Sequence, residues 1–174
     1  MEELLDRCGL LCGISRQMTH LERLREHYLQ AQTVMEKGRR LVRRNRCYRF
    51  DNMSFYLLLD RIPKEELDNF CHEQIQRLWA YDMEHGTDLC VTLQVYLEQT
   101  KSLSKTAELL FVHRNTVRYR IKRCMELLDN ELEDGNEIFA FIRSLRIREY
   151  WIKLCDGTAD ILARYFITER KNEK

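Results

Sequence analysis

Apolar residues recur every three to four positions along most of the chain, which is the spacing of amphipathic helices. Leu21, Leu24 and Tyr28 begin one such stripe. Thr19 and Glu22 have the form of a capping box, in which a hydroxyl and a carboxylate satisfy the first amides of a helix reciprocally. The pattern predicts a helix that begins near Leu21 with this apolar face turned inward.

Later stretches have the same spacing and predict three more helices. Pro63 suits the first position of one, which continues to about Tyr81. Thr87 can cap the next, and a long helix is predicted from about Glu137 to Leu154. One proline and six glycines in the whole chain leave few points at which helices must break. The predicted fold class is therefore mainly α.

Departures from the helical spacing divide the chain. Short segments near residues 10–14 and 47–50 permit β-strands. The sequence His85-Gly86-Thr87 breaks the pattern between two helices. We therefore predict a small helical region over residues 1–84 and a second domain over residues 85–174.

The stretch from Leu103 to Arg123 has the spacing of a helix-turn-helix. Two short helices that cross steeply need a small residue at their closest approach, and Ala107 is that residue. Phe111 stands where many such motifs carry a turn glycine. Apolar anchors flank the turn and the second helix at the required spacing: Leu110, Val112, Val117 and Ile121.

The second helix, predicted over about residues 113–128, separates apolar from polar side chains. Val117, Ile121, Cys124 and Leu128 fall on one face, Asn115, Tyr119 and Lys122 fall opposite, and Arg118 and Arg123 lie at the margins. Asparagine can pair with adenine and arginine with guanine, while flanking bases hold phosphates. The candidate DNA-binding residues are Ser104, Lys105, Arg114, Asn115, Thr116, Arg118, Tyr119, Arg120, Lys122 and Arg123.

Charge is unevenly distributed. Residues 101–123 hold seven basic residues and one acid, and residues 39–49 hold six arginines and no acid. The chain has 29 basic and 28 acidic residues in all, so the remainder has 16 basic and 27 acidic ones. An acidic body with local basic patches is typical of a protein that binds a polyanion at one place. For residues 39–49 the interpretation stays open between an auxiliary phosphate contact and a solvated loop, and we favour the loop.

These residues also resemble a known family. The runs Thr92–Glu98, Thr106-Ala107 and Leu110–Ile121 resemble the C-terminal helix-turn-helix of the PucR/CdaR family of bacterial regulators, a domain similar to the Fis type. The most specific part is the string His-Arg-Asn-Thr-Val-Arg-Tyr-Arg that begins at His113. The resemblance covers about Gly86–Leu154.

Upstream, Cys12–Ser15 and His27–Ala31 resemble the end of the GGDEF-like domain that precedes the DNA-binding module in this family. The resemblance implies that residues 1–84 are a remnant of that domain with a linker helix. It also implies a cytoplasmic transcription regulator that binds double-stranded DNA. A small-molecule effector would be sensed by a domain for which this chain contains no candidate.

We further expect a homodimer, because one recognition helix contacts too few base pairs to address a genome. Four apolar residues of the last helix do not belong to its inward face and would form the interface: Phe139, Tyr150, Trp151 and Leu154. The alternative is that they pack on the preceding domain, against Leu78 and Trp79.

Other functions find less support in the sequence. A nucleotide cyclase of the GGDEF type needs a Gly-Gly turn, and the chain has none, so we expect no enzyme. The seven cysteines and five histidines show no metal-ligand spacing, so we expect neither a metal nor a cofactor. Apolar runs are too short to span a membrane, and an RNA-binding protein would show more exposed aromatic residues. The alternative is a helical protein-interaction module without nucleic-acid binding.

Overall fold

The structure is a computed structural model that describes residues 2–41 and 46–154. The described backbone forms two compact units, one extending to Lys64 and one covering Glu65–Ile152. Some residues named in the predictions lie outside the described residues. They are Arg43 and Arg44 of the arginine-rich segment, the Leu154 side chain of the predicted dimer interface, and Cys155.

The described part of the chain is mainly α, as predicted. The first unit contains α1 (Glu2–Cys8), β1 (Cys12–Ile14), α2 (Leu24–Leu41), β2 (Cys47–Arg49) and α3 (Phe50–Leu59). The second contains α4 (Glu73–His85), α5 (Leu89–Glu98), α6 (Leu103–Leu110), α7 (Arg114–Leu128) and α8, which starts at Gly135 and ends at Leu154. Short 3-10 helices occupy Leu21–Arg23 and Lys64–Phe70.

In the first unit, both predicted strand segments form a parallel pair around α2. Cys12 lies opposite Cys47 in the register. Two glycines allow the helix to approach closely. A Cβ on Gly13 would come within 2.0 Å of the Ala31 carbonyl oxygen, and one on Gly38 within 2.3 Å of the Tyr48 ring. These positions therefore require glycine because a backbone or an aromatic ring occupies the space.

The prediction that the apolar stripe of α2 faces inward is wrong for the first turns of the helix. Leu21, Leu24 and Tyr28 are exposed, whereas Val34 and Leu41 are buried. The helix has 18 residues and each strand has three. A helix of that length is about 27 Å long and such a strand about 10 Å, so the strands cover only part of the helix. The predicted capping box is also wrong, since His20 holds the cap position and makes no side-chain cap bond.

The core of the second unit joins α4, α5, α7 and α8. Its fully buried members include Ile75, Leu78, Leu93, Val117, Cys124, Leu128 and Phe141. The predicted continuous helix from Pro63 to Tyr81 is instead a 3-10 helix followed by α4, whose cap is His72. The ring Nδ1 of His72 accepts a hydrogen bond from the Gln74 amide at 3.3 Å.

The second unit begins at Glu65, earlier than the boundary that we placed at residue 85. Gly86 does end α4, in the left-handed conformation with φ 62°. However, Asp82 reaches past this turn and accepts hydrogen bonds from the amides of Leu89 and Cys90 at 2.9 and 2.8 Å. The glycine therefore marks a tight corner between packed helices. The assignment of residues 1–84 to a GGDEF-like remnant stays a prediction.

Within the described residues, six cysteines are free thiols and no group of three or more histidine, cysteine or acidic side chains could hold a metal ion. Burial raises the pKa of the Cys124 thiol to about 12, so it stays protonated and packs as an apolar group. Nor is any helix of the described chain long and apolar enough to cross a membrane.

Candidate nucleic-acid interface

Helices α6 and α7 form the predicted helix-turn-helix. Ser102 caps α6 by accepting a hydrogen bond from the Lys105 amide at 3.4 Å. His113 caps α7 through its ring Nδ1, which accepts from the Asn115 amide at 3.2 Å. Ala107 is buried in the core cluster that also contains Val117 and Ile121 of α7. The backbone therefore sets the start of the second helix within a residue of the predicted position.

The turn between the two helices passes through Phe111. Its φ of 53° lies in the left-handed region, which explains why glycine is common at this place in such motifs. The Phe111 amide donates to the Glu108 carbonyl at 3.2 Å, and the Val112 amide donates to the Ala107 carbonyl at 3.1 Å. The turn thus keeps its hydrogen bonds although a bulky residue occupies the strained position.

One face of α7 is buried as predicted. Val117, Cys124 and Leu128 have no exposed surface, and Ile121 is 5% exposed. Burying four apolar side chains on one face fixes which face remains outside. The recognition helix cannot rotate without exposing this stripe.

The opposite face of α7 presents most of the predicted DNA-binding side chains to solvent. Tyr119 is 71% exposed and lies among exposed polar and basic neighbours. Those neighbours are Asn115, Arg118 and Lys122, while Thr116 is half-buried at the margin. Arg114 is exposed at the first position of the helix, but it stands seven residues before Ile121 and therefore lies on the side of the buried stripe. Ser104 and Lys105 are exposed on α6. The structure thus brings Asn115, Arg118, Tyr119 and Lys122 onto one outward surface, which also carries the exposed Glu126 in the last turn.

Two of the predicted DNA-binding residues, Arg120 and Arg123, form hydrogen bonds with other side chains of the protein. Arg120 donates to the Thr92 hydroxyl at 3.2 Å and to the Asp88 carboxylate at 3.4 Å, and both acceptors belong to the start of α5. Its side chain is 22% exposed. Arg120 precedes buried Ile121 and stands four residues before buried Cys124, which places it at the edge of the inward face.

Arg123 lies at the other margin, against α4. Its guanidinium is 5.3 Å from the centre of the Tyr81 ring, donates to the Tyr81 hydroxyl at 3.4 Å and pairs with Glu126 at 3.0 Å. The hydrogen bonds to Tyr81 and Glu126 raise the pKa of Arg123 above its usual value. Arg123 therefore stays charged, but part of its hydrogen-bonding capacity is already used.

Sequence reasoning missed the groups that hold these arginines. Asp88 and Thr92 precede Arg120 by 32 and 28 positions, and Tyr81 precedes Arg123 by 42. Helical periodicity relates residues three or four positions apart and carries no information about such partners. Helical spacing places Arg120 near the buried stripe of α7, but it does not identify the partners that Arg120 and Arg123 contact there.

The segment that contains α6 and α7 is similar to a known family of domains. Residues 89–147 match the family described as the PucR C-terminal helix-turn-helix domain. The match begins at α5 and ends within α8. This part of the chain is therefore a helix-turn-helix domain of the PucR C-terminal type.

Several bacterial regulators are similar to the chain. The purine catabolism regulatory protein of Bacillus subtilis (strain 168) is 40% identical over 91 residues, which cover 52% of this chain and 17% of that protein. The proline-responsive transcriptional activator PutR of the same organism is 32% identical over 124 residues, covering 70% and 30%. The carbohydrate diacid regulator of Escherichia coli (strain K12) is 27% identical over 122 residues, covering 70% and 31%.

The matched regions span less than a third of the length of each of these relatives. No solved structure matches the chain.

Proposed function

We propose that the chain, which contains a PucR-type helix-turn-helix domain, is the sequence-specific DNA-binding portion of a transcription regulator. Helix α7 enters the major groove and reads base edges, while α6 lies across the backbone. The relatives named as transcriptional activators or regulators support this function.

The observation that carries the proposal is the composition of the outward face of α7. Asn115, Arg118 and Lys122 are exposed, and no acid occurs between Glu108 and Glu126. A helix face that serves only to be solvated normally mixes acids with bases in pairs one turn apart. From Asn115 to Lys122 the outward face is polar and basic, and its first acid is Glu126 in the last turn, which pairs with Arg123 at 3.0 Å. Such a face suits the major groove of DNA, which is surrounded by phosphates.

The exposed side chains divide into two roles. Asn115 and Arg118 can each make paired hydrogen bonds to a base edge, asparagine to adenine and arginine to guanine. Ser104, Lys105 and Lys122 are suited to phosphates, which position the domain without reading sequence. Tyr119 can contact either the backbone or a thymine methyl group.

We infer further that two copies of the chain bind together in the cytoplasm, to half-sites about 10 base pairs apart. The proposed contact uses the part of α8 that its own unit leaves exposed. Of the four residues predicted for it, Phe139 is 65% exposed and Trp151 is half-buried, whereas Tyr150 is 2% exposed and packs internally. A small-molecule effector, as the name of the proline-responsive relative suggests, would act through a region other than residues 89–147.

Selection from a pool of random duplexes tests the proposed function. We expect repeated rounds of binding and amplification to enrich one sequence, which the protein then binds more tightly than random DNA by a factor of about 10³ or more. A pool that stays random, with equal affinity for every duplex, would contradict sequence-specific binding. Absence of any binding to duplex DNA at low salt would instead favour the helical protein-interaction module.

A further inference from the structure

Arg120 differs from the exposed basic residues of α7 because its guanidinium already has partners within the protein. Its two terminal nitrogens donate to acceptors at the start of α5, the Thr92 hydroxyl at 3.2 Å and the carboxylate of the cap residue Asp88 at 3.4 Å. The side chains of Arg120 and Asp88 are 22% and 25% exposed. Because the pair is partly buried, water and salt screen it less than they screen an ordinary surface ion pair.

The acceptors are themselves fixed by hydrogen bonds at the start of α5. Asp88 stands at the cap position of α5 but makes no side-chain cap bond. Asp82 of α4 satisfies the amides of Leu89 and Cys90 instead, at 2.9 and 2.8 Å. The Thr92 hydroxyl donates to the Asp88 carbonyl at 2.7 Å, which turns its lone pairs towards Arg120. Asp82 thus takes over the capping role, and the Asp88 carboxylate can hold Arg120.

We propose that Arg120 is a positioning residue that locks α7 onto α5 and does not contact DNA. The apolar stripe of α7 limits rotation of the helix, but apolar contacts are not directional and tolerate small shifts along the axis. Two charge-assisted hydrogen bonds to fixed acceptors add the missing directional constraint. This inference rests on the proposed function, since its consequence is the placement of Asn115 and Arg118 in the groove.

The salt dependence of binding separates this role from a phosphate contact. Each phosphate neutralised contributes about 0.9 to the slope of log affinity against log salt. We expect R120A to lower the affinity for the selected duplex about tenfold, the value of one good base contact. Its salt slope and its affinity for random DNA should match those of the parent. K122A is the matched control, and its slope should fall by about 0.9 with similar losses on both duplexes.

The variant D88N gives a second test, for which a pure charge effect and a positioning role predict opposite changes in DNA affinity. Removal of an acid near a DNA-binding surface should strengthen DNA binding if charge alone matters. A positioning role predicts that D88N weakens specific binding as R120A does, and that the double variant D88N/R120A is no worse than either single variant. A fall of the R120A salt slope by one phosphate, with equal losses on both duplexes, would overturn the proposal. So would stronger binding by D88N.

Thermal melting without DNA tests the Arg120–Asp88 contact separately from the proposed DNA-binding function. The Arg120–Asp88 contact predicts that R120A and D88N each lower the melting temperature and that their effects are not additive. Additive effects would overturn the inference. If the parent protein binds no duplex while the coupling is observed, the proposed function fails and the helix-locking contact stands.

Discussion

The outward side chains of α7 differ in the information that they can take from DNA. Asn115 and Arg118 offer paired hydrogen bonds with fixed geometry, whereas Lys122 offers a point charge on a flexible stem. The first two are therefore expected to determine sequence preference, and the lysine to contribute affinity on any sequence. This division leads to a residue-level prediction.

N115A and R118A should each reduce discrimination between the selected duplex and random DNA by about 1–3 kcal/mol. Competition gel-shift assays measure this difference, and circular dichroism checks that the helices are intact. R77A is the matched control, because Arg77 is an exposed arginine of the same unit, on α4. Unchanged discrimination in both variants, with normal spectra, would show that α7 does not read bases.

The turn at Phe111 permits a test that depends only on the backbone. At a left-handed position a Cβ costs about 1–2 kcal/mol, so F111G should be more stable than F111A by about 1 kcal/mol. The order should reverse at Glu108 inside α6, where alanine is the better helix former and E108A should exceed E108G. Chemical denaturation measures both pairs. Greater stability of F111A than of F111G would show that the turn adopts another conformation.

The sequence was sufficient to predict which face of α7 is buried in the second unit. It was not sufficient to predict which side chains form hydrogen bonds with one another. The stripe Val117, Ile121, Cys124 and Leu128 followed from spacing alone because these residues lie on one helix. Arg118, Arg120 and Arg123 were all predicted to bind DNA, but only Arg118 is exposed, and the other two are half-buried. Their inward contacts depend on α4 and α5, whose placement no local pattern specifies.

At the scale of elements, the helix-turn-helix depends on the close crossing of α6 and α7. Ala107 is buried in the same core cluster as Val117 and Ile121, and the Val112 amide donates a hydrogen bond to its carbonyl. A leucine side chain would separate the helices. We expect A107L to lower the free energy of unfolding by about 1–3 kcal/mol and to weaken DNA binding.

E108L is a suitable control for A107L, because it adds a leucine at the exposed neighbouring position of α6. Denaturation of the parent and both variants compares their stabilities. If A107L is as stable as the parent and binds DNA equally well, the helices do not cross at this residue.

The bounds of a helix were predictable where the apolar spacing was continuous. They were less predictable where packing against neighbouring elements determines which residues are buried or where a helix begins. The bounds of α7 agree with the predicted 113–128 to within a residue. The exposed start of α2 could not be foreseen, since the sequence gives no measure of how far β1 and β2 extend beneath it. The break between the 3-10 helix and α4 is likewise a matter of context: the Ser144 hydroxyl of α8 accepts from the His72 amide at 2.8 Å.

At the scale of the whole molecule, the sequence placed a boundary at the glycine corner, whereas the compact unit starts at Glu65. A break in helical pattern does not show whether the flanking helices separate or fold back on each other. The hydrogen bonds of Asp82 across the corner decide this, and they appear only in three dimensions.

The proposed homodimer gives a prediction at this scale. Phe139 is 65% exposed on α8, and Arg143, one turn later, can pair with a glutamate at its position. F139E should therefore remain folded but convert a dimer to a monomer in sedimentation and lower operator affinity. M83E, at a 66% exposed position of α4, should leave the dimer intact. A parent chain that is monomeric at tens of micromolar, with and without DNA, would refute the homodimer.

The central claim, that α7 reads the major groove, is tested most directly by methylation interference on the selected duplex. Dimethyl sulfate modifies guanine N7, which faces the major groove, and adenine N3, which faces the minor groove. We predict that methylation of one or more guanines within each half-site prevents binding by the parent. In the R118A complex, at least one of those guanines should lose its effect. Interference confined to adenines, or no interference at any guanine, would contradict major-groove recognition by this helix.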